Sequence, residues 1–230
     1  VLPRTRLFGS GTVLDTSRLR FTLSEHCGVA VQNVHAYIAG EHGDSEIPLW
    51  SSATIGGVPL LDWQPLPGRA PLTAEVRAGI KDQVIGSAYT IIQGKGATNY
   101  AIGLASSRIA EAILDDEHRV LPVSTLIDEP VHGISDVCLS LPTVVDADGA
   151  GMRLPVAMSD DEVAGRWRQL GPDGPMVDGL VVGVLLSSGG IGFATATLLG
   201  RLGAKVMVAS TTERIESRIG ELDSEGIEAE

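Results

Sequence analysis

The apolar positions change period several times along the chain, and each change predicts an element. Residues 14–27 read as a helix closed by Gly28. Val34-His35-Ala36-Tyr37-Ile38 then alternates, which predicts one strand with a single buried face. After Ala53 come the turn-rich Gly56-Gly57 and Pro59 and a Pro-rich loop. Thr73 can cap a long helix in which Val76, Ile80, Val84 and Ala88 recur as a core stripe. Gly94 and Gly96 break it before a second helix through Ile102, Ile109 and Ile113, a further core stripe. Residues 119–127, 136–145 and 153–158 read as strands, separated by Pro130, Gly133 and the turn Asp146-Ala147-Asp148-Gly149. Ser159, with Glu162 three residues later, has the spacing of a capping box and opens a further helix. This part of the chain is α+β.

The pattern stops at Gly171-Pro172-Asp173-Gly174-Pro175, a turn-rich linker over residues 171–175. Beyond it, residues 180–186 read as a buried strand, 187–192 as a Gly-rich turn, 193–202 as a helix ended by Gly203, and 204–209 as a second strand. That is one βαβ unit within a second segment, residues 176–230, and it makes the chain α/β overall. Residues 180–200 carry no charge and match a membrane span in length, but the Ser-Ser-Gly-Gly interruption and the strand pattern after Gly203 argue against one.

Composition narrows the partners. The chain has 230 residues, 43% of them hydrophobic, and a formal net charge of −12, enough for a core or two and contrary to a general nucleic-acid surface. Cys27 and Cys138 form no Cys-x-x-Cys pair and no cationic, apolar leader precedes them, so a reducing, cytoplasmic setting is expected, with each cysteine a small buried hydrophobe. The five histidines lack zinc-type spacing, and no metal site is expected.

Candidate chemistry gathers in two places. Ala39-Gly40-Glu41-His42-Gly43-Asp44-Ser45 holds a histidine in a Gly-flanked turn after the alternating strand, where it can trade protons near neutral pH. Leu14-Asp15-Thr16-Ser17-Arg18 puts a carboxylate and a guanidinium three residues apart, on one face of a helix. Taken singly, these residues read as a surface ion pair and an exposed loop histidine, and Thr98 reads as a helix cap. Together they supply a carboxylate to orient a histidine and a fork to grip an acid substrate, a toolkit for moving a proton on a small 2-keto or 2-hydroxy acid. Glu41 and Asp44 read as turn formers without chemistry. Arg18 and Arg20 point about 200° apart at 3.6 residues per turn, so they cannot serve one pocket.

These segments resemble the L-lactate dehydrogenase family, from residue 1 to about residue 170, and match its C-terminal catalytic half, the NAD-binding half being absent from this chain. The resemblance implies that His42 is the proton donor and acceptor, Asp15 its orienting partner, Arg18 the clamp on the substrate carboxylate, and Thr98 in Gly94-Lys95-Gly96-Ala97-Thr98 a further substrate contact. It implies hydride transfer between lactate and NAD, with pyruvate as the other substrate, in a homo-oligomer such as a homotetramer. Gly40-Glu41-His42-Gly43-Asp44-Ser45 looks like the lactate branch, where malate enzymes more often read Gly-Gly-His-Gly. In bacterial members, a basic residue at the place of Arg20 and a histidine at the place of His35 build an anion site between subunits for the activator fructose 1,6-bisphosphate. The plain alternative is a solvated Arg20 and a half-buried His35.

Residues 176–230 resemble the start of the short-chain dehydrogenase/reductase family, whose Gly-rich turn brings a dinucleotide pyrophosphate to a helix N-terminus. Gly190 and Gly192 fit the last part of that pattern as cofactor-binding positions. Leu185 and Leu186 occupy the places of its Thr and first Gly, and that family's catalytic Ser and Tyr-x-x-x-Lys do not follow. Three alternatives stay open: a non-catalytic fusion or fragment that keeps only oligomerisation surfaces, a malate dehydrogenase, and a short-chain reductase fragment.

Overall fold

The computed structural model describes residues 3–43, 45–95 and 100–165. Thr98, Gly190, Gly192, the linker and the expected βαβ unit lie outside the described residues.

A short 3-10 turn, Arg4–Arg6, precedes α1 (Val13–Cys27). Gly28 closes α1 in the left-handed region at φ 71°, where its N–H donates to the Ser24 carbonyl at 2.9 Å and where a side chain would be strained. Short strands follow: β1 (Val34–His35), β2 (Ile38–Ala39), β3 (Ile47–Pro48), β4 (Thr54–Ile55) and β5 (Val58–Pro59). Then come the long helices α2 (Ala74–Lys95) and α3 (Tyr100–Leu114), the strands β6 (Arg119–Leu121), β7 (Ser124–Ile127), β8 (Val137–Ser140), β9 (Thr143–Asp146) and β10 (Gly149–Arg153), and the short helix α4 (Asp160–Gly165). The strand order is β1-β4-β5 in one sheet and β10-β9-β6 in another, with β2-β3 and β7-β8 as pairs.

The expected strand over residues 34–38 is two strands in different sheets. Val34 pairs with Ile55, whereas Ile38 pairs with Pro48. Burial still alternates as expected, with Val34, Ala36 and Ile38 inside. The ladder is interrupted because α1 takes the backbone groups a neighbouring strand would use. Arg20 Nε donates to the Ala36 carbonyl at 2.8 Å, and the Ile38 N–H donates to Thr16 Oγ1 at 2.9 Å.

The expected strands over 119–127 and 136–145 are also each divided, yet they keep one antiparallel register. Arg119 lies opposite Val145, Leu121 opposite Thr143, Ser124 opposite Ser140 and Ile127 opposite Val137. That register sets Pro122 across from Pro142, and two residues without N–H groups cannot complete the ladder there. The expected strand over 153–158 is instead Gly149–Arg153, directly after the two-residue turn at Ala147-Asp148. Its continuation is stopped by Pro155, and the Leu154 N–H donates to the Pro142 carbonyl at 2.8 Å.

Among the described residues three apolar clusters form the interior, and α1 contributes to two of them. Leu19 and Leu23 pack with Ile38, Ile55, Ile80 and Val84. Val13 packs with Ile109, Ala112 and Val145. The third cluster, with Ile47, Leu49, Ile127 and Leu139, holds both ends of the His42 turn through Ala39 and Ile47. Each fully buried aliphatic side chain contributes about 1.5–3 kcal/mol. The predicted stripe of α2 is buried at Ile80 and Val84 and half-buried at Val76 and Ala88. Ile102, in the first turn of α3, is exposed, as Tyr100 and Leu104 are, so that helix's buried stripe starts only at Ala105. Cys27 is buried as expected, whereas Cys138 is only half-buried, and burial pushes both thiols up from their ordinary values. Among the described residues no helix is long and apolar enough to cross a membrane.

Candidate active site

Asp15 sits in the first turn of α1, where the unpaired N–H ends of the helix favour negative charge. It is 3% exposed, so its charge needs partners, and it has two. Arg18 Nη1 donates to Oδ1 at 3.2 Å from the next turn of the helix. Oδ2 lies 2.6 Å from His42 Nδ1. A carboxylate only accepts, so Nδ1 carries the proton of that bond and Nε2 is left as the atom that gains or loses one.

The turn carrying His42 is pinned at its base. Gly40 and Ser140 of β8 exchange backbone hydrogen bonds, at 2.9 Å from the Gly40 N–H and 2.8 Å from the Ser140 N–H. Gly40 has φ 92°, which favours glycine. The Ser45 hydroxyl donates to the Glu41 carboxylate, the local turn-forming role expected of Glu41. Asp44 lies outside the described residues. The His42 side chain is 42% exposed.

Electrostatics bias the histidine towards its charged form. The hydrogen bond to Asp15 is the largest influence and raises its pKa from 6.5, against the lowering by burial, and the charges of Asp15 and Glu46 raise it further while Arg18 lowers it. Asp15, Arg18 and His42 thus form one cluster in the structure.

The same cluster includes Glu46, which the sequence reading passed over. It is 2% exposed, and ligand-type atoms of Asp15, His42 and Glu46 lie within 4.8 Å of one another. A signal existed in the chain: an acidic residue opening the apolar run Ile47-Pro48-Leu49, four positions after the histidine. A cation here would compete with Arg18 and with the Nδ1 proton for oxygens of Asp15 that are already engaged.

Arg20 turns away from Asp15 and Arg18, to Ala36 and Tyr37, in keeping with the angle between Arg18 and Arg20 on the helix. Arg20 is not a merely solvated charge. Its Nε is bonded to the Ala36 carbonyl, and its Cζ lies 4.6 Å from the centre of the Tyr37 ring. His35 is exposed rather than half-buried.

Among the described residues every strand pairing is antiparallel. They contain no parallel crossover of the kind on which a dinucleotide pyrophosphate rests, so they do not fit NAD by themselves.

Residues 12–165 match the family described as lactate/malate dehydrogenase, alpha/beta C-terminal domain. The chain is 59% identical over 163 residues to an L-lactate dehydrogenase of Bifidobacterium animalis subsp. lactis, an alignment covering 71% of this chain and 51% of that protein. It is 48% identical over 164 residues to an L-lactate dehydrogenase of Salinibacter ruber, covering 70% and 50%. Among solved structures, the fold is similar to the minor L-lactate dehydrogenase of Enterococcus mundtii in its ligands-bound form, with TM-score 0.66 and 37% identity over 73% of this chain and 52% of that one. The chain spans about half the length of the curated relatives it matches.

Proposed function

The chain belongs to the lactate/malate dehydrogenase family, and on that premise we propose that it carries the proton-transfer half of an L-lactate dehydrogenase, an NAD-dependent oxidoreductase. The observation that carries this reading is the 2.6 Å contact between His42 Nδ1 and a buried Asp15 that Arg18 also holds. In pyruvate reduction, protonated His42 gives its Nε2 proton to the carbonyl oxygen as hydride reaches the carbonyl carbon. In lactate oxidation the neutral ring takes the hydroxyl proton back. Asp15 fixes the ring orientation and stabilises the imidazolium. Arg18, beside the same carboxylate, supplies the cation for the substrate's own carboxylate, and Thr98 a further contact.

Bound NAD would supply the hydride, and the described residues account for the proton alone. The remaining assignments accompany the same reading. The enzyme is a cytoplasmic homo-oligomer, Arg20 and His35 take the phosphates of fructose 1,6-bisphosphate, and residues 176–230 are a partial short-chain reductase unit in which Gly190 and Gly192 mark a dinucleotide turn.

Nicotinamide absorbance with pyruvate tests it. The chain alone should show negligible turnover. The chain fused behind the N-terminal half of the Bifidobacterium animalis relative should turn over, and His42→Asn in that fusion should lower the rate by about 10²–10⁴-fold, the usual contribution of a positioned acid-base group. Robust turnover by the chain alone, or near-normal turnover by the variant, would overturn the reading.

A further inference from the structure

Glu46 is a buried carboxyl for which the proton-transfer scheme has no use. Its Oε1 is sealed from solvent without a hydrogen-bond partner among the described residues. The charged groups that face it are Asp15 and Arg18 from α1, His42 from its own turn and Lys81 from α2. Two carboxylates this close in so dry a place cannot both ionise cheaply. Asp15 holds the charge, because Arg18 and His42 are bonded to its two oxygens.

We propose that Glu46 is a buried carboxylic acid that sits uncharged against the charged Asp15 carboxylate, so that the His42–Asp15 pair works beside a neutral group rather than a second anion. The proposal takes from the preceding reading only that the pair transfers protons. The charge state itself belongs to the chain and is measurable without catalysis. Its effect is on the field that a substrate anion meets. With Glu46 uncharged, Asp15 and Arg18 balance and protonated His42 and Lys81 leave the site positive, whereas an ionised Glu46 lowers that charge by one. Burial does most to push the Glu46 carboxyl up to about 8, and the Asp15 charge adds to it, while His42, Arg18 and Lys81 pull it down. Once ionised, Glu46 would in turn raise the pKa of His42 by its charge. The two groups therefore report on each other.

The test follows the carbon-bound ring protons of His42 by NMR in the full chain as pH is raised. The curve should show the histidine's own inflection above 6.5 and a second, smaller one near pH 8, where Glu46 ionises. Glu46→Gln should abolish the second. Urea midpoints supply an independent measure. The folded carboxyl is raised from 4.5 to about 8, so the stability it contributes is complete below 4.5 and is lost as pH rises through about 8. Glutamine does not titrate, so the variant should gain on the parent across that window. A residue that only filled space would give a constant difference and leave the His42 curve unchanged. A single inflection in the parent, or a second one that survives in Glu46→Gln, overturns the proposal. The parent curve alone decides if the variant fails to fold. Because neither readout needs pyruvate or NAD, loss of the dehydrogenase reading would leave both results standing.

Discussion

Asp15 accepts from Arg18 with one oxygen and meets His42 with the other, so a single carboxylate holds the two side chains proposed as anion clamp and proton carrier. The rate of pyruvate reduction should therefore fall as pH rises through the raised His42 pKa, since only the protonated ring can donate. In the fused enzyme, Asp15→Asn removes the leading cause of that raise and should move the alkaline limb of kcat/KM to lower pH, with burial then acting in the same direction. An unmoved limb would assign the titration to another group. The same contact contributes stability that is complete below pH 6.5 and is lost as pH rises through the folded value. Asp15 and Arg18 were legible as a pair because a helix converts a separation of three into one face, whereas their link to His42 was implied only by the family resemblance. Glu46 was not legible, because its role follows from being 2% exposed, and burial depends on what lies above the residue in space.

Thr12, Thr16 and Arg20 recur every four residues along α1 and form a polar stripe against the segment that leads to His42. Thr12 Oγ1 donates to the Ile38 carbonyl at 2.6 Å, Thr16 Oγ1 accepts from the Ile38 N–H at 2.9 Å, and Arg20 Nε reaches the Ala36 carbonyl at 2.8 Å. This stripe divides the expected strand and holds α1, with Asp15 on it, against the chain that carries the histidine. Thr16→Val keeps the side-chain shape but leaves the buried Ile38 N–H without its acceptor. It should cost about 1–3 kcal/mol, read as a lower urea midpoint of the chain. An unchanged midpoint would mean that the N–H finds another acceptor. The capping box was legible and is present: the Ser159 N–H donates to Glu162 Oε2 at 2.8 Å, and the Glu162 N–H to Ser159 Oγ at 3.3 Å. The second use of Glu162, as acceptor for the backbone N–H of Ser51 at 3.0 Å, was not legible, since it joins residues far apart in sequence.

For the molecule as a whole, the anion site assigned to Arg20 and His35 concerns how copies associate. Arg20 is held by Ala36 and Tyr37, and His35, the residue before Ala36, is exposed on the same segment. A sugar bisphosphate bridging two such surfaces should shift the chain towards larger assemblies in sedimentation. The shift should be strong at about pH 5.5 and weaker at about pH 8, as histidine loses its positive charge. Arg20→Gln should remove it. An identical response from that variant, or an unchanged mass distribution at both pH values, would leave Arg20 as an anchor for the backbone of residue 36 and nothing more.

By itself the sequence determined that α1 closes at Gly28, that residues 34–38 alternate in burial, and that a carboxylate and a guanidinium share one face of α1. These follow from periods, caps and local spacing, which act over a few residues. Only the tertiary structure decided that the alternating segment serves two sheets, that Pro122 faces Pro142, that Arg20 is an anchored rather than a solvated charge, and that Glu46 shares the interior with Asp15 beside the exposed His42. Each of those depends on groups brought together from distant parts of the chain. Competition for a single N–H, or repulsion between two buried carboxyls, exists only once packing has removed the water between them.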